Sequence, residues 1–280
     1  MLNEREKLSI TGLCRALGIT RQGYYQNERR ETIDRLRNEI ILEFVRLHRL
    51  HHPKMGSRKL YSLAKAELDM RGIGRDKFIN ILRNNGLLVE HKATKARTTN
   101  SNHGFQFYKN ELDESVMSRK NGAVVSDITY IRIGYRFYYL SLITEVSSRM
   151  IVGFDLSHSL GIDGVIRAMK MAVRVIGETN GMIHHSDRGV QYCSKEYIKL
   201  LKSKGIKISM AEKGNPYENA IAERVNGILK LEYKLGSRFN SVESAQKAVK
   251  EAVKFYNYER PHWSLNLRTP SAVYESSEKN

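Results

Sequence analysis

Residues 8–26, "LSITGLCRALGITRQGYYQ", place Leu8, Leu13 and Leu17 at helical spacing, break at Gly18 and offer Thr20 as the cap of a second helix. The outline is that of a helix-turn-helix, yet Gly turns also join ordinary helical hairpins, so the pattern alone leaves both readings open. A second helical pair follows in "GSRKLYSLAKAELDMRGIGRDKFINILRNNGLLV". There Leu60, Leu63, Ala64 and Leu68 form one apolar stripe, "RGIG" interrupts it, and Phe78, Ile79 and Leu82 form another. Arg58, Lys59, Arg75 and Lys77 decorate the polar sides. From residue 91 to about 120 the chain is polar, without sustained periodicity, and reads as a linker.

Beyond it the period changes. "AVVSDITYI", "RFYYLSLITEV" and "RMIVGFDLS" are rich in β-branched and aromatic residues and are separated by short Gly or Ser turns, which predicts a three-strand meander. Next come a helix near residues 162–177, a strand "MIHHS", a helix near 194–204 and a strand "IKISM". A loop "AEKGNPYEN" leads to helices near 219–234 and 242–257. Antiparallel strands followed by alternating helices and strands form a mixed α/β layer. The expected organisation is a helical, basic, helix-turn-helix-like region over residues 1–90, a linker over 91–120, and a core with its C-terminal helix and tail over 121–280.

Charge sharpens this picture. The formal net charge is +17, and residues 1–110 carry 22 basic against 11 acidic side chains, so most of the excess sits in the first two-fifths of the chain. Such an asymmetric positive field points to a polyanion, with nucleic acid the obvious candidate. Cys14 and Cys193 are too few and too distant for a disulfide framework, no apolar run has the length of a signal peptide or membrane span, and a soluble, cytoplasmic protein is expected. His48, His51 and His52 lie close together but lack the cysteine pair that usually accompanies a zinc cluster.

In this layout Asp127 lies in the first strand, Asp187 just past the fourth, and Glu223 in the helix after the fifth. Strand ends of open α/β sheets face one crevice, where the two aspartates meet if their strands are neighbours. On the helix, Asn219, Glu223, Asn226, Lys230 and Lys234 share one face and Ile221, Val225, Ile228 and Leu229 the other. A solvated face with weak ion pairs is the plain reading. The chemical reading is a set of hard oxygen ligands for Mg²⁺ or Mn²⁺, two of which could serve phosphoryl displacement. A serine hydrolase built on Ser186 with His184 or His185 lacks the glycine-flanked nucleophile turn.

Thirty-five residues separate Asp187 from Glu223, and Lys230 follows seven after the glutamate. Together with "SDITYI", "HSDRGVQY", "GNPYENAIAERVNGILKLE" and "YNYERPHWSLNLRTP", this resembles the catalytic region of DDE transposases. The closer likeness, over about residues 8–275, is to the second-reading-frame protein of two-frame bacterial insertion sequences, similar in core to retroviral integrases.

The resemblance implies a ribonuclease H-like fold with Asp127, Asp187 and Glu223 as catalytic, metal-binding residues. It places Lys230 on the transposon end, Asn219 near the active site, and Arg260 and His262 in a C-terminal motif. "HPKMGSRKL", holding Arg58 and Lys59, resembles the basic helical segment preceding this core, which completes the expected DNA-binding set. Val124, Glu218 and Met55 depart from the family's usual tryptophan, aspartate and tyrosine, and none is a proposed ligand.

The implied activity is Mg²⁺-dependent cleavage of element ends and strand transfer by two ions, with Mn²⁺ as substitute. DNA is the expected partner, a homo-oligomer on DNA the expected assembly, and a first-frame protein a further partner or fusion. The alternative is a DNA-binding regulatory or assembly subunit with an inert core. A nuclease that only hydrolyses would use the same ligands.

Overall fold

The computed structural model describes residues 10–90, 107–212 and 219–276. Two compact units emerge, one taking the residues up to Leu50 with Gly56–Val89, the other His51–Met55 with the residues from Glu90 on.

In the first unit α1 (Ile10–Ala16) ends before Gly18, whose φ of 66° lies in the left-handed region that strains residues with a Cβ. Thr20 Oγ1 then accepts from the Gly23 N–H at 3.0 Å, at the head of α2 (Arg21–His51). From the Thr20 cap α2 runs for 31 residues. It buries Ile41, Phe44 and Val45. In α3 (Ser57–Glu67) and α4 (Arg75–Asn84) the buried residues include Leu60 and Ala64, and Phe78 and Leu82, from the two expected stripes. Of the expected linker, residues 91–106 lie outside the described residues. The remainder holds one short helix, α5 (Glu114–Ser118), capped by Asp113, whose carboxylate accepts from Val116 N–H at 2.8 Å.

The second unit is built on a mixed sheet. β1 (Ala123–Ile133), β2 (Arg136–Glu145) and β3 (Ile151–Ser157) form the meander, with Gly134 at a φ of 55° turning β1 into β2. β4 (Ile183–Ser186) pairs parallel with β1, and β5 (Lys207–Met210) parallel with β4, which gives the order β3-β2-β1-β4-β5. A two-residue β6 (Arg238–Phe239) joins the far end of β1.

Helix α6 (Ile162–Ile176) crosses from β3 to β4, and α7 (Lys195–Ser203) from β4 to β5. Gly153 permits the close seat of α6, since a Cβ there would stand 2.1 Å from the Ala168 carbonyl oxygen. After β5 come α8 (Ala220–Glu232), α9 (Val242–Tyr258), a 3₁₀ turn at Trp263–Leu265 and α10 (Pro270–Ser276).

Two apolar cores sandwich the sheet. Val124 and Ile143 pack with α6 and α7 on one side, and Ile131, Ile133, Leu140 and Leu142 with α8 and α9 on the other. Because side chains alternate along a strand, Asp127 shares the parity of Ile131 and belongs to the α8 side. Val124, where the resembling family usually has tryptophan, lies in the opposite core. The architecture is a ribonuclease H-like mixed sheet flanked by helices, with an N-terminal helical unit.

Candidate active site

Asp127 and Asp187 come together through strand register. β1 and β4 pair in parallel from Ala123↔Ile183 to Ser126↔Ser186, so the two aspartates are the next residues along neighbouring strands. Each carboxylate is held by the backbone: Asp127 Oδ1 accepts from Ile128 N–H at 2.8 Å, and Asp187 Oδ1 from Gly189 N–H at 2.9 Å.

Helix α8 brings the third acid. Glu223 is exposed in its first turn, while Asn226, one turn on and 6% exposed, donates from Nδ2 to Asp127 Oδ2 at 2.7 Å. The helix therefore meets the sheet through Asn226 of its polar stripe, while Glu223 and Lys234 of the same stripe stay exposed. At the N-terminus of α8, Asn219 is 6% exposed and its Nδ2 lies 3.5 Å from the Ser126 carbonyl oxygen, immediately before Asp127. Lys230, two turns beyond Glu223, is half-buried, and burial pulls its pKa below the usual lysine value while the Asp127 charge opposes the shift.

The three acids are electrostatically coupled. Burial first, then the Asp187 charge and more weakly that of Glu223, push the Asp127 carboxyl up to about 7, against the opposing hydrogen bonds from Asn226 and Ile128. Among the described residues no three His, Cys, Asp or Glu side chains are gathered into a single metal-binding group. Asp127, Asp187 and Glu223 offer only carboxylate oxygens, a donor chemistry that fits a hard divalent cation. It does not suit zinc, which takes four tight protein ligands in a structural site.

Behind the aspartates lies a buried network, of which sequence reasoning anticipates only a packed or hydrogen-bonded His185. His184 Nε2 is 2.7 Å from Ser126 Oγ and 2.9 Å from the Tyr197 hydroxyl, so the strand segments leading to the carboxylates are tied to α7. Burial, with a smaller contribution from His185, pushes His184 down to about 3, which keeps it neutral. The Tyr192 hydroxyl is pushed well above its usual value by burial and by the Asp127 and Asp187 charges. His185 Nδ1 lies 2.8 Å from Ser209 Oγ, and Ser186 Oγ donates to the Asp187 carbonyl oxygen. Ser186 thus meets neither histidine, and the serine-hydrolase reading has no geometry. The signal available in the sequence was "IHHS", too apolar in context to be a solvent-facing pair.

Four residues expected at DNA are buried in this structure. Arg260 is 1% exposed: Nε and Nη2 donate to the Glu232 carboxylate at 2.8 and 2.7 Å, and Nη1 donates to His262 Nε2 at 3.0 Å. His262, Asn219 and Lys59 are also buried, whereas Arg58 is exposed. The histidine trio serves contacts other than zinc. His51 and His52 both approach Glu259, with His51 Nδ1 at 2.8 Å from Oε2, and His48 Nδ1 lies 3.0 Å from the Phe44 carbonyl oxygen.

The β3-β2-β1-β4-β5 sheet of this ribonuclease H-like fold carries Asp127 on β1, Asp187 just past β4 and Glu223 on α8. The chain matches the integrase core domain family over residues 117–216, and a second integrase core domain family over residues 204–270. It is 32% identical over 273 residues to the insertion element IS600 uncharacterized 31 kDa protein of Shigella sonnei, covering 94% of this chain and 97% of the relative. It is 28% identical to the transposase for insertion sequence element IS629 of the same organism, over 98% of this chain and 93% of that one. The simian T-cell lymphotropic virus intasome structure, with PP2A regulatory subunit B56 gamma, is similar at a TM-score of 0.49 and 17% identity, over 82% of this chain and 74% of that one.

The chain belongs to the insertion-sequence transposases with an integrase core. Its function is DNA transposition, and nothing favours the alternative of an inert regulatory subunit. No described helix is long and apolar enough to cross a membrane.

Proposed function

We propose that Asp127, Asp187 and Glu223 are the DDE ligands of two Mg²⁺ ions, replaceable by Mn²⁺, and that they carry both DNA cleavage and strand transfer. The observation that supports this reading is the parallel register that makes Asp127 and Asp187 the next residues along neighbouring strands, with α8 tied to Asp127 by Asn226 one turn beyond Glu223. Three like charges are kept close at an energetic cost, and divalent cations would relieve both that repulsion and the repulsion of DNA phosphates. Asp127, Asp187 and Glu223 would together hold the ions. When bound, the ions would lower the pKa of an attacking hydroxyl and stabilise the leaving oxygen.

The residues of the chain itself supply position. Backbone N–H groups and Asn226 orient the carboxylates, and Lys230 is offered to the DNA end beside Asp127. Cleavage replaces one P–O bond to the 3′ oxygen with a P–O bond to water oxygen, and the departing oxygen takes a proton as a 3′-hydroxyl. In joining, that hydroxyl loses its proton and attacks a target phosphate, displacing a second 3′-hydroxyl, so one phosphodiester is exchanged for another. Residues 1–90 would form the DNA-binding region, with exposed Arg58 among its phosphate contacts, residues 91–120 the linker, and residues 121–280 the catalytic core.

The test uses the full chain with labelled end DNA and target DNA in Mg²⁺. Asp127→Asn, Asp187→Asn and Glu223→Gln should each abolish cleavage and covalent joining while end binding persists. Normal turnover by any of the three would remove that residue from the ligand set.

A further inference from the structure

The helical unit displays an exposed apolar surface. Along α2, Ile33, Leu36, Ile40, Leu47 and Leu50 are 40, 56, 55, 56 and 73% exposed. The side of the helix carrying Ile41, Phe44 and Val45 is already buried. The exposed five follow one another at intervals of 3, 4, 7 and 3 residues, the a and d positions of a heptad, and Glu43 takes the remaining d position. On a helix they span an arc of about 100°, a seam rather than scattered surface residues. A seam of this width and regularity marks an interaction surface.

We propose that it is a self-association surface, in which α2 pairs with α2 of a second copy of this chain as an antiparallel coiled coil. The register centres between Ile41 and Leu42. Ile33 then packs on Leu50 of the second copy, Leu36 on Leu47, and Ile40 beside Glu43.

Charge selects both the occupant and the direction. Glu39 and Arg46 are exposed at the g positions beside the seam, and the antiparallel register sets Glu39 of each copy against Arg46 of the other. A parallel pair would instead oppose Glu43 to Glu43 inside the seam and leave Glu39 facing Phe44. Within one copy Arg46 already turns toward Glu43, at 3.6 Å, in an exposed pair weak enough to be exchanged. Glu43 is the single polar seam position, of the kind that fixes register at some loss of strength. The pairing stands independently of the active-site assignment, and two paired copies would supply the two catalytic chains that joining two element ends calls for.

The experiment is the solution mass of the full chain without DNA, by sedimentation equilibrium over about 1–50 µM, a range suited to micromolar association. Twice the chain mass is expected for the wild type. The double variant Ile40→Glu/Leu47→Glu should have the mass of one chain, with unchanged helical circular dichroism because both side chains are exposed within one copy. Direction is read by oxidation: Leu36→Cys mixed with Leu47→Cys should form an inter-chain disulfide, and neither variant alone should. In the proposed register the thiols of two paired Leu36→Cys copies lie about 16 Å apart along the axis, at 1.5 Å per residue. The native Cys14 and Cys193 are buried and do not compete. A monomeric wild type, a double variant that remains dimeric, or a disulfide formed by Leu36→Cys alone would each overturn the proposal.

Discussion

Asn226 Nδ2 donates to Asp127 Oδ2 at 2.7 Å, which ties the middle of α8 to the mid-strand carboxylate of β1 across 99 positions of chain. Glu223 stands one turn before this contact and Lys230 one turn after it, so the hydrogen bond helps set how the helix presents both to the strand. Replacing Asn226 with leucine should therefore lower cleavage about tenfold to a hundredfold, as outer-shell partners of metal ligands do. The Mg²⁺ concentration for half-maximal activity should rise, end binding should stay unchanged, and Asn226→Gln should recover part of the loss. An unaltered Mg²⁺ titration would sever the link between Asn226 and the carboxylates.

Lys230 is expected to meet DNA phosphate. Lys230→Ala should weaken end binding and reduce the slope of log affinity against log salt by about one. Affinities measured at several salt concentrations check this, and an unchanged slope would place the ammonium elsewhere.

Arg260 tests the reverse expectation. With its guanidinium forked onto Glu232 and 1% exposed, its truncation would strand a carboxylate. Arg260→Ala should cost about 3 kcal/mol of stability in denaturant unfolding. The fraction that remains folded should bind DNA with wild-type affinity, and a large loss of affinity without loss of stability would restore a direct DNA role.

Acid sensitivity should trace to His184. Its folded pKa of about 3 lies below its ordinary value of 6.5, so between those values the unfolded chain binds a proton that the folded chain refuses. This contribution is intact above pH 6.5 and is lost as pH falls through the window toward 3, with a slope of up to about 1.4 kcal/mol per unit. Between about pH 6.5 and 4.5 the wild type should lose about 2 kcal/mol more than His184→Gln, whose amide oxygen can serve as acceptor for Ser126 and Tyr197. Equal pH slopes in urea unfolding would contradict the assignment.

Much of the catalytic unit was legible from spacing because each element carries its own period. The alternation in "VVSDITYI" marks β1 and puts Asp127 on the same side as Ile131, and the apolar start of "MIHHS" marks β4 before Asp187. In α8 the polar stripe was visible, but a stripe does not say whether it meets water or carboxylates, and Asn226 does the latter. For α2 the period itself misled: apolar residues on two separate sides blur the single stripe that identifies a helix, so only its capped start was recognised. For Arg260 and His262 the motif left packing and DNA contact both open, and it is Glu232, 28 positions before Arg260, that permits their burial.

The linear chain thus dictates helices, strands and the sides they offer, since the repeats of about 3.6 and 2.0 residues are local properties. Nearness of Asp127, Asp187 and Glu223 is not local. It arises because β4 returns beside β1 through the α6 crossover and α8 folds back over the same strand, an order set by how the two cores are covered rather than by any spacing along the backbone.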